Sequence, residues 1–315
     1  MQSVIDSTVT RRSVGTGALW LVVAIVLGLA TGASGCDRDR ARAVRVLKKG
    51  LQAYSRGETV SAVEKMVKAA EIDDDFAKAH YQAAQVYEVD LEEYGKAERH
   101  YRDATDIDPD DPKFTYGLAR VLAAQGDYEE AISYYRKTID NDKKHGKAWF
   151  RLGIAQRTLG KHADAVDSFM KAIEVAPRLR MDEEDTGGAQ YHALGDLYVE
   201  FGFYDKALKV YENGLVNNSK CPRLFQGRGV AQLELERYEA AAESFQKALE
   251  IDESNTSALY NLAVARQKMG KPEEAIKVLE KFLRVANRGD NRARIAAAQG
   301  LMNKLEDELE KKKSD

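Results

Sequence analysis

Residues 146–179 read GKAWFRLGIAQRTLGKHADAVDSFMKAIEVAPRL, and this 34-residue sentence recurs with variations along the chain. Aligning the copies on Ala131, Ala165, Ala207, Ala241 and Ala275 puts a ring or a large apolar side chain four places on, at Tyr135, Phe169, Tyr211, Phe245 and Leu279. A fixed period of this length sets the fold before any local reading, because one unit cannot bury its apolar face alone and must stack on its neighbours. Such a chain presents surface rather than closing a pocket.

Working outward, seven copies are legible: 43–76 (Gly50, Gly57, Ala62, Ala69), 77–111 (Tyr81, Ala84, Tyr87, Tyr94, Ala97, Tyr101, Ala104, Pro109), 112–145, 146–179, 188–221, 222–255 and 256–289. The copy at 77 carries one extra residue near Val89 to Leu91, which a turn tolerates because added loop length costs little. Arg180 to Gly187 are eight added residues, so the array divides into 43–179 and 188–289. Gly126, Gly160, Gly202 and Gly270 stand where the first helix of a unit must stop and reverse, a place for a residue able to take positive φ. Proline after Asp108, Asp111 and Ala176 marks further helix boundaries. The expected packing sets Gly153 or Gly229 against the alanine opening the second helix, with the aromatic one turn later in the wedge between neighbouring units. Forcing a large side chain into such a contact typically costs about 1–3 kcal/mol.

Trp149, Leu152, Gly153, Gly160, Ala165, Phe169, Ala172 and Pro177, and again Phe225, Gly229, Tyr238, Ala241, Phe245 and Ala248, resemble the tetratricopeptide repeat residue by residue. The resemblance implies an all-α fold, a right-handed superhelix (α-solenoid) of about seven helix-turn-helix repeats, and a scaffold that binds proteins or peptides. In such repeats positions 2, 5, 9 and 12 face the concave side, steps of three and four sharing a helical face. Here they supply Lys78, Lys113 and Lys147, the rings of Tyr81, Tyr116, Phe150 and His192, and the guanidinium groups of Arg120 and Arg157. Rings backed by cations suit a peptide with acidic and apolar side chains. Equally, the rings could pad neighbouring helices and the lysines be ordinary helix-start surface. The family's clamp for a terminal carboxylate, Lys at position 5 with Asn at position 9, is absent.

Residues 290–315 read as a last helix with a charged tail. Asp290 or Asn291 can cap it, and Ile295, Ala298, Met302, Leu305 and Leu309 share one face. Repeat arrays need a terminal element with a polar outer face; a coiled-coil seam is the competing reading.

Residues 1–35 are different in kind. Arg11 and Arg12 precede an uncharged, apolar stretch from Ser13 that ends in Ala33-Ser34-Gly35 before Cys36, the order of a secretory signal peptide. The cysteine after small residues resembles the lipobox of bacterial lipoproteins. That resemblance implies cleavage before Cys36, attachment of acyl chains such as palmitate, a short basic linker over 36–42, and a protein held in the cell envelope facing the periplasm or the outside. One acyl chain anchors only marginally, whereas several give a durable tether. An uncleaved signal anchor is the alternative, since the apolar stretch is long enough to span a bilayer.

Composition excludes several classes. Net charge is −3, and residues 1–35 hold Arg11, Arg12 and Asp6, which leaves −4 for the remainder. A chain with no basic excess lacks the electrostatic footprint of a nucleic-acid binder. Cys221 is the one thiol besides Cys36, so no internal disulfide framework exists. His80, His100, His145, His162 and His192 show no metal-ligand spacing along the sequence, and no phosphate loop, nucleophile elbow or dinucleotide fingerprint occurs. The acids Asp182, Glu183, Glu184 and Asp185 of the inserted loop 180–187 read as a solvated loop, with a basic partner segment as the next reading. No cofactor, metal, small-molecule substrate or catalytic residue is expected. The reading is therefore a non-enzymatic envelope scaffold, with a pilotin-like assembly factor for pili or secretins as a narrower form and a substrate-recruiting subunit of an envelope enzyme as the alternative class.

Overall fold

The computed structural model describes residues 37–181, 187–286 and 292–314. The signal segment 1–35, Cys36, the acids 182–185, Asp290 and Asn291 lie outside the described residues. The described residues are helical with short connections and contain no strand. They fall into two compact units that divide after Pro109.

The first unit holds α1 (37–54), α2 (Thr59–Ile72), α3 (Ala77–Val89) and α4 (Tyr94–Ile107). The second holds α5 (Pro112–Gln125), α6 (Tyr128–Asn141), α7 (Gly146–Thr158), α8 (His162–Val175), α9 (Ala189–Glu200), α10 (Tyr204–Asn217), α11 (Pro222–Glu234), α12 (Tyr238–Ile251), α13 (Thr256–Lys268), α14 (Pro272–Val285) and α15 (Arg292–Ser314). In the second unit each helix packs on the next, and α5 also meets α7, α9 meets α11 and α11 meets α13. Antiparallel pairs stacked in sequence order are the α-solenoid arrangement.

Local chemistry explains the boundaries. Asp111 accepts the N–H of Lys113 at 2.8 Å, and Pro112 occupies the first turn of α5, where a missing N–H costs nothing. The same helix ends on Gly126 at φ 94°, its N–H turned back to the carbonyls of Leu122 and Ala123. The turns after α3 and α11 reach the left-handed region without glycine, at Glu92 (φ 54°) and Glu236 (φ 58°). There the Cβ crowds the following carbonyl, a penalty of roughly 1–2 kcal/mol. The extra residue of the second copy lies in this turn, between Val89 and Tyr94.

Packing inside a pair differs from the expected alanine contact. A Cβ added to Gly153 would stand 2.6 Å from the ring of Phe169, and one added to Gly229 the same distance from Phe245. The glycine thus makes room for its own repeat's aromatic ring, whose atoms are the nearest neighbours of the missing Cβ. Ala165 and Phe169 are both fully buried, and burial of such a ring is worth about 1.5–3 kcal/mol. Tyr211 goes further: a side chain at either Gly195 of α9 or Gly227 of α11 would overlap its ring, so it is gripped by two successive repeats.

Three pairs of polar side chains carried inside are matched across such crossings. Ser168 donates to Gln156 at 2.6 Å, Ser244 to Gln232 at 2.6 Å, and Thr138 to Thr115 at 2.9 Å. Buried hydroxyls and amides without such partners would cost about 1–3 kcal/mol each. At the far end α15 lies on α14, burying Ala298 and Leu305 with Ile295, Leu301 and Met302 against Leu279 and Phe282.

Candidate protein-binding surface

The first helices of successive pairs carry the residues expected to meet a partner. On α5, Lys113 is exposed, and Tyr116 is half-buried with the Arg120 guanidinium 5.6 Å from its ring centre. The Tyr116 ring also lies 4.7 Å from His145 and 6.0 Å from Tyr135. Burial holds the His145 imidazole below its ordinary range, with the neighbouring Asp142 opposing that effect. Lys113, Tyr116 and Arg120 follow one face of α5 at steps of three and four, with the Arg120 cation over the partly exposed Tyr116 ring.

The next helices are more committed to the protein itself. Lys147 donates to the carbonyl of Met181 at 2.9 Å, which ties the segment after α8 to α7. Phe150 is 8% exposed and packs 5.9 Å from Phe169, so its ring pads the core and offers little to a ligand. Arg157 pairs with Glu200 of α9 at 2.9 Å. His192 sits 3.0 Å from Asp196, which also accepts the Tyr211 hydroxyl at 2.7 Å. Burial opposes the charge on Asp196, but the hydrogen bond and charge of His192, the Tyr211 hydroxyl and Arg157 outweigh it, and the carboxyl lies below its usual range. Burial, with Asp196 beside it, pushes the Tyr211 hydroxyl far above the phenolic range. In the first unit Lys78 is exposed, while Tyr81 is half-buried edge-on to Tyr101 at 5.9 Å.

Three further features escape a reading of the sequence. A cleft of about 810 Å³ runs between α6, α7 and α8, floored by Trp149, Leu152 and Gln156 and rimmed by Arg136, Asp164, Met170 and Lys171. At the α9–α10 turn Phe201 and Phe203 are about half exposed, with Lys206 4.9 Å from the Phe203 ring and His162 edge-on to Phe201 at 5.0 Å. In the first unit His80 and His100, separated by 20 residues in the chain, meet with their Nδ1 atoms 3.1 Å apart, and Asp103 joins them. Only the α3–α4 turn makes that meeting possible, which is why linear spacing gave no sign of it. Among the described residues no helix is long and apolar enough to cross a membrane.

The tetratricopeptide-repeat pattern matches residues 81–145, 116–179 and 192–256 in one form and 232–302 in another. The TPR repeat-containing protein MJ1428 of Methanocaldococcus jannaschii is 28% identical over 249 residues, which are 76% of this chain and 42% of that protein. The chain spans less than half the length of the curated relatives it matches first. Among solved structures, a tetratricopeptide repeat protein from Parabacteroides merdae superposes with a TM-score of 0.56 at 15% identity, over 84% of this chain and 98% of its own. Pseudomonas aeruginosa pilF superposes with a TM-score of 0.54 at 21% identity, over 71% and 96%. At these identities the structural likeness is one of fold. With the family pattern running through more than half of the residues, and helix pairs stacked where it runs, the chain belongs to the tetratricopeptide-repeat family.

Proposed function

We propose that this chain is a non-enzymatic scaffold, tethered to a membrane through Cys36, that holds a segment of a partner protein while an envelope complex is assembled. Membership of the family supports the scaffold role, since stacked helix pairs expose long faces and these repeats generally bind proteins. The observation that carries the choice of surface is the α5 patch, where Arg120 lies over the half-exposed ring of Tyr116 beside exposed Lys113. A cation held on a ring is positioned to meet a carboxylate while the ring edge accepts an apolar side chain. Within the second unit Lys147, Arg157 and His192 belong to the same proposal as flanking contributors, and Lys78 and Tyr81 are candidates for partner contact on the first unit by itself. The sequence around Cys36 supports the tether.

The triple variant Lys113→Ala, Tyr116→Ala, Arg120→Ala tests the surface. After in-cell crosslinking, the partners joined to wild-type protein should be lost from the variant while its helical signal and melting curve stay intact. Undiminished crosslinking would remove α5 from the binding surface. The tether is tested apart from it: radiolabelled palmitate should enter the wild type and not Cys36→Ser, and an unlabelled wild type would refute lipidation. A pilotin-like role is the narrower version, supported by the fold it shares with pilF; loss of surface pili on deletion of the gene, restored by the wild type, is its test.

A further inference from the structure

We infer that His80, His100 and Asp103 form a binding site for one zinc ion between α3 and α4. These are the three His, Cys, Asp or Glu donors that cluster closely enough among the described residues, with all their ligand atoms within 4.8 Å of one another. His80 Nδ1 lies 3.1 Å from His100 Nδ1 and 3.2 Å from Asp103 Oδ2. Zinc binds imidazole nitrogen and carboxylate oxygen at about 2.0–2.2 Å, so two donors on one tetrahedral ion stand roughly 3.3 Å apart. The observed separations are already close to that figure. Two of the three donor separations thus suit the ion already, and the third, within 4.8 Å, closes as it binds.

The surroundings favour a metal over a plain hydrogen bond. His80 Nδ1 faces both His100 Nδ1 and the Asp103 carboxylate and has at most one proton to offer the two, whereas an ion among them uses both imidazole lone pairs and the carboxylate as well. His100 and Asp103 are three residues apart on α4 and therefore share a face. The His100 ring is fixed by Tyr87, stacked on it at 5.7 Å and 6° from parallel, with Lys96 on the other contact of Tyr87 at 5.2 Å. His80 is 13% exposed and Asp103 52% exposed at their side chains, so the nitrogen donors are sheltered and the oxygen donor guards the approach. Three protein ligands leave the fourth position of a tetrahedral ion to water or to a donor from a bound molecule. Imidazole and carboxylate donors suit zinc, and copper ranks above it in intrinsic affinity, so zinc is expected where copper is scarce.

The test uses the untagged full chain in detergent, stripped of metal with a chelator. Cobalt serves as the spectroscopic probe, and zinc is added by titration. One equivalent of cobalt per chain should produce visible absorption bands that zinc abolishes, and zinc should raise the melting temperature. His80→Gln should lose both effects, and Asp103→Asn should weaken binding by about tenfold or more, while His145→Gln binds as the wild type does. The Asp103 variant keeps the test sound if His80→Gln disturbs packing, because Asp103 is exposed. Absence of saturable zinc binding by the wild type, or equal binding by the wild type and Asp103→Asn, would overturn the site.

Discussion

The hydroxyl of Tyr211 donates to the carboxylate of Asp196 across 2.7 Å, joining the second helix of one repeat to the first. The two groups it joins carry opposite pH dependences, Asp196 being lowered chiefly by His192 against the cost of burial and Tyr211 raised chiefly by burial. Asp196 titrates below its ordinary value of 3.8, so the folded state binds fewer protons there than the unfolded chain does; its stabilising share is whole above that value and is lost as pH falls through the lowered one. Tyr211 stays protonated when folded, so its share is whole below pH 10.0 and declines as pH rises beyond it. Urea unfolding should therefore show a shallower loss of stability on the acid side in Asp196→Asn, and a shallower loss on the alkaline side in Tyr211→Phe.

Gly195 and Gly227 should be intolerant of any side chain, because each already touches the Tyr211 ring. Gly227→Ala should cost at least about 1–3 kcal/mol, the usual penalty for overpacking. Combining it with Tyr211→Leu should cost less than the sum of the two single changes. Additive costs in a denaturation cycle would show that the clash is not with the ring.

Glu92 and Glu236 occupy positive φ where five other repeats have glycine, at Gly57, Gly126, Gly160, Gly202 and Gly270. Glu236→Gly should stabilise the protein by roughly 0.5–1 kcal/mol, the left-handed penalty less the added freedom of the unfolded chain. Gly126→Ala should destabilise it by about 1 kcal/mol. Calorimetry that finds Glu236→Gly destabilising would count against strain at this turn.

Ala165 is fully buried at the opening of α8. Ala165→Phe should lower stability by about 1–3 kcal/mol and reduce near-ultraviolet signal from the packed rings. Arg157→Ala should by contrast change stability by less than about 1 kcal/mol, because its pair with Glu200 is solvent-exposed.

Much of the fold was legible because its determinants repeat. Alanine at 165 and 241 with a ring four residues on can only serve one packing arrangement, and a repeated constraint is visible in a single chain. The glycine turns were legible for the same reason, except that Glu92 and Glu236 show how a stacked array overrides local preference. The direction of packing was less so: the pattern places Gly153 near the crossing, but whether Ala165 or the ring of Phe169 lies against it depends on side-chain rotamers that period does not encode. The proposed binding face was legible only in outline. Position in the repeat puts Lys113, Tyr116 and Arg120 on one face of α5, yet it does not distinguish them from Phe150, whose ring turns inward, or from Arg157 and His192, which meet acids on α9. His80 and His100 were illegible because they are neighbours only through a turn, and Phe201 and Phe203 because exposure is a property of the stack.

The double grip on Tyr211 has a consequence for how such an array can be shortened or lengthened. One phenol is anchored by its own unit and roofed by the next, so removing everything after Asn218 would strip a neighbour from a ring that still needs cover. Evolution or an engineer could more readily trim this chain by excising a whole period from within than by shaving it from the carboxyl end.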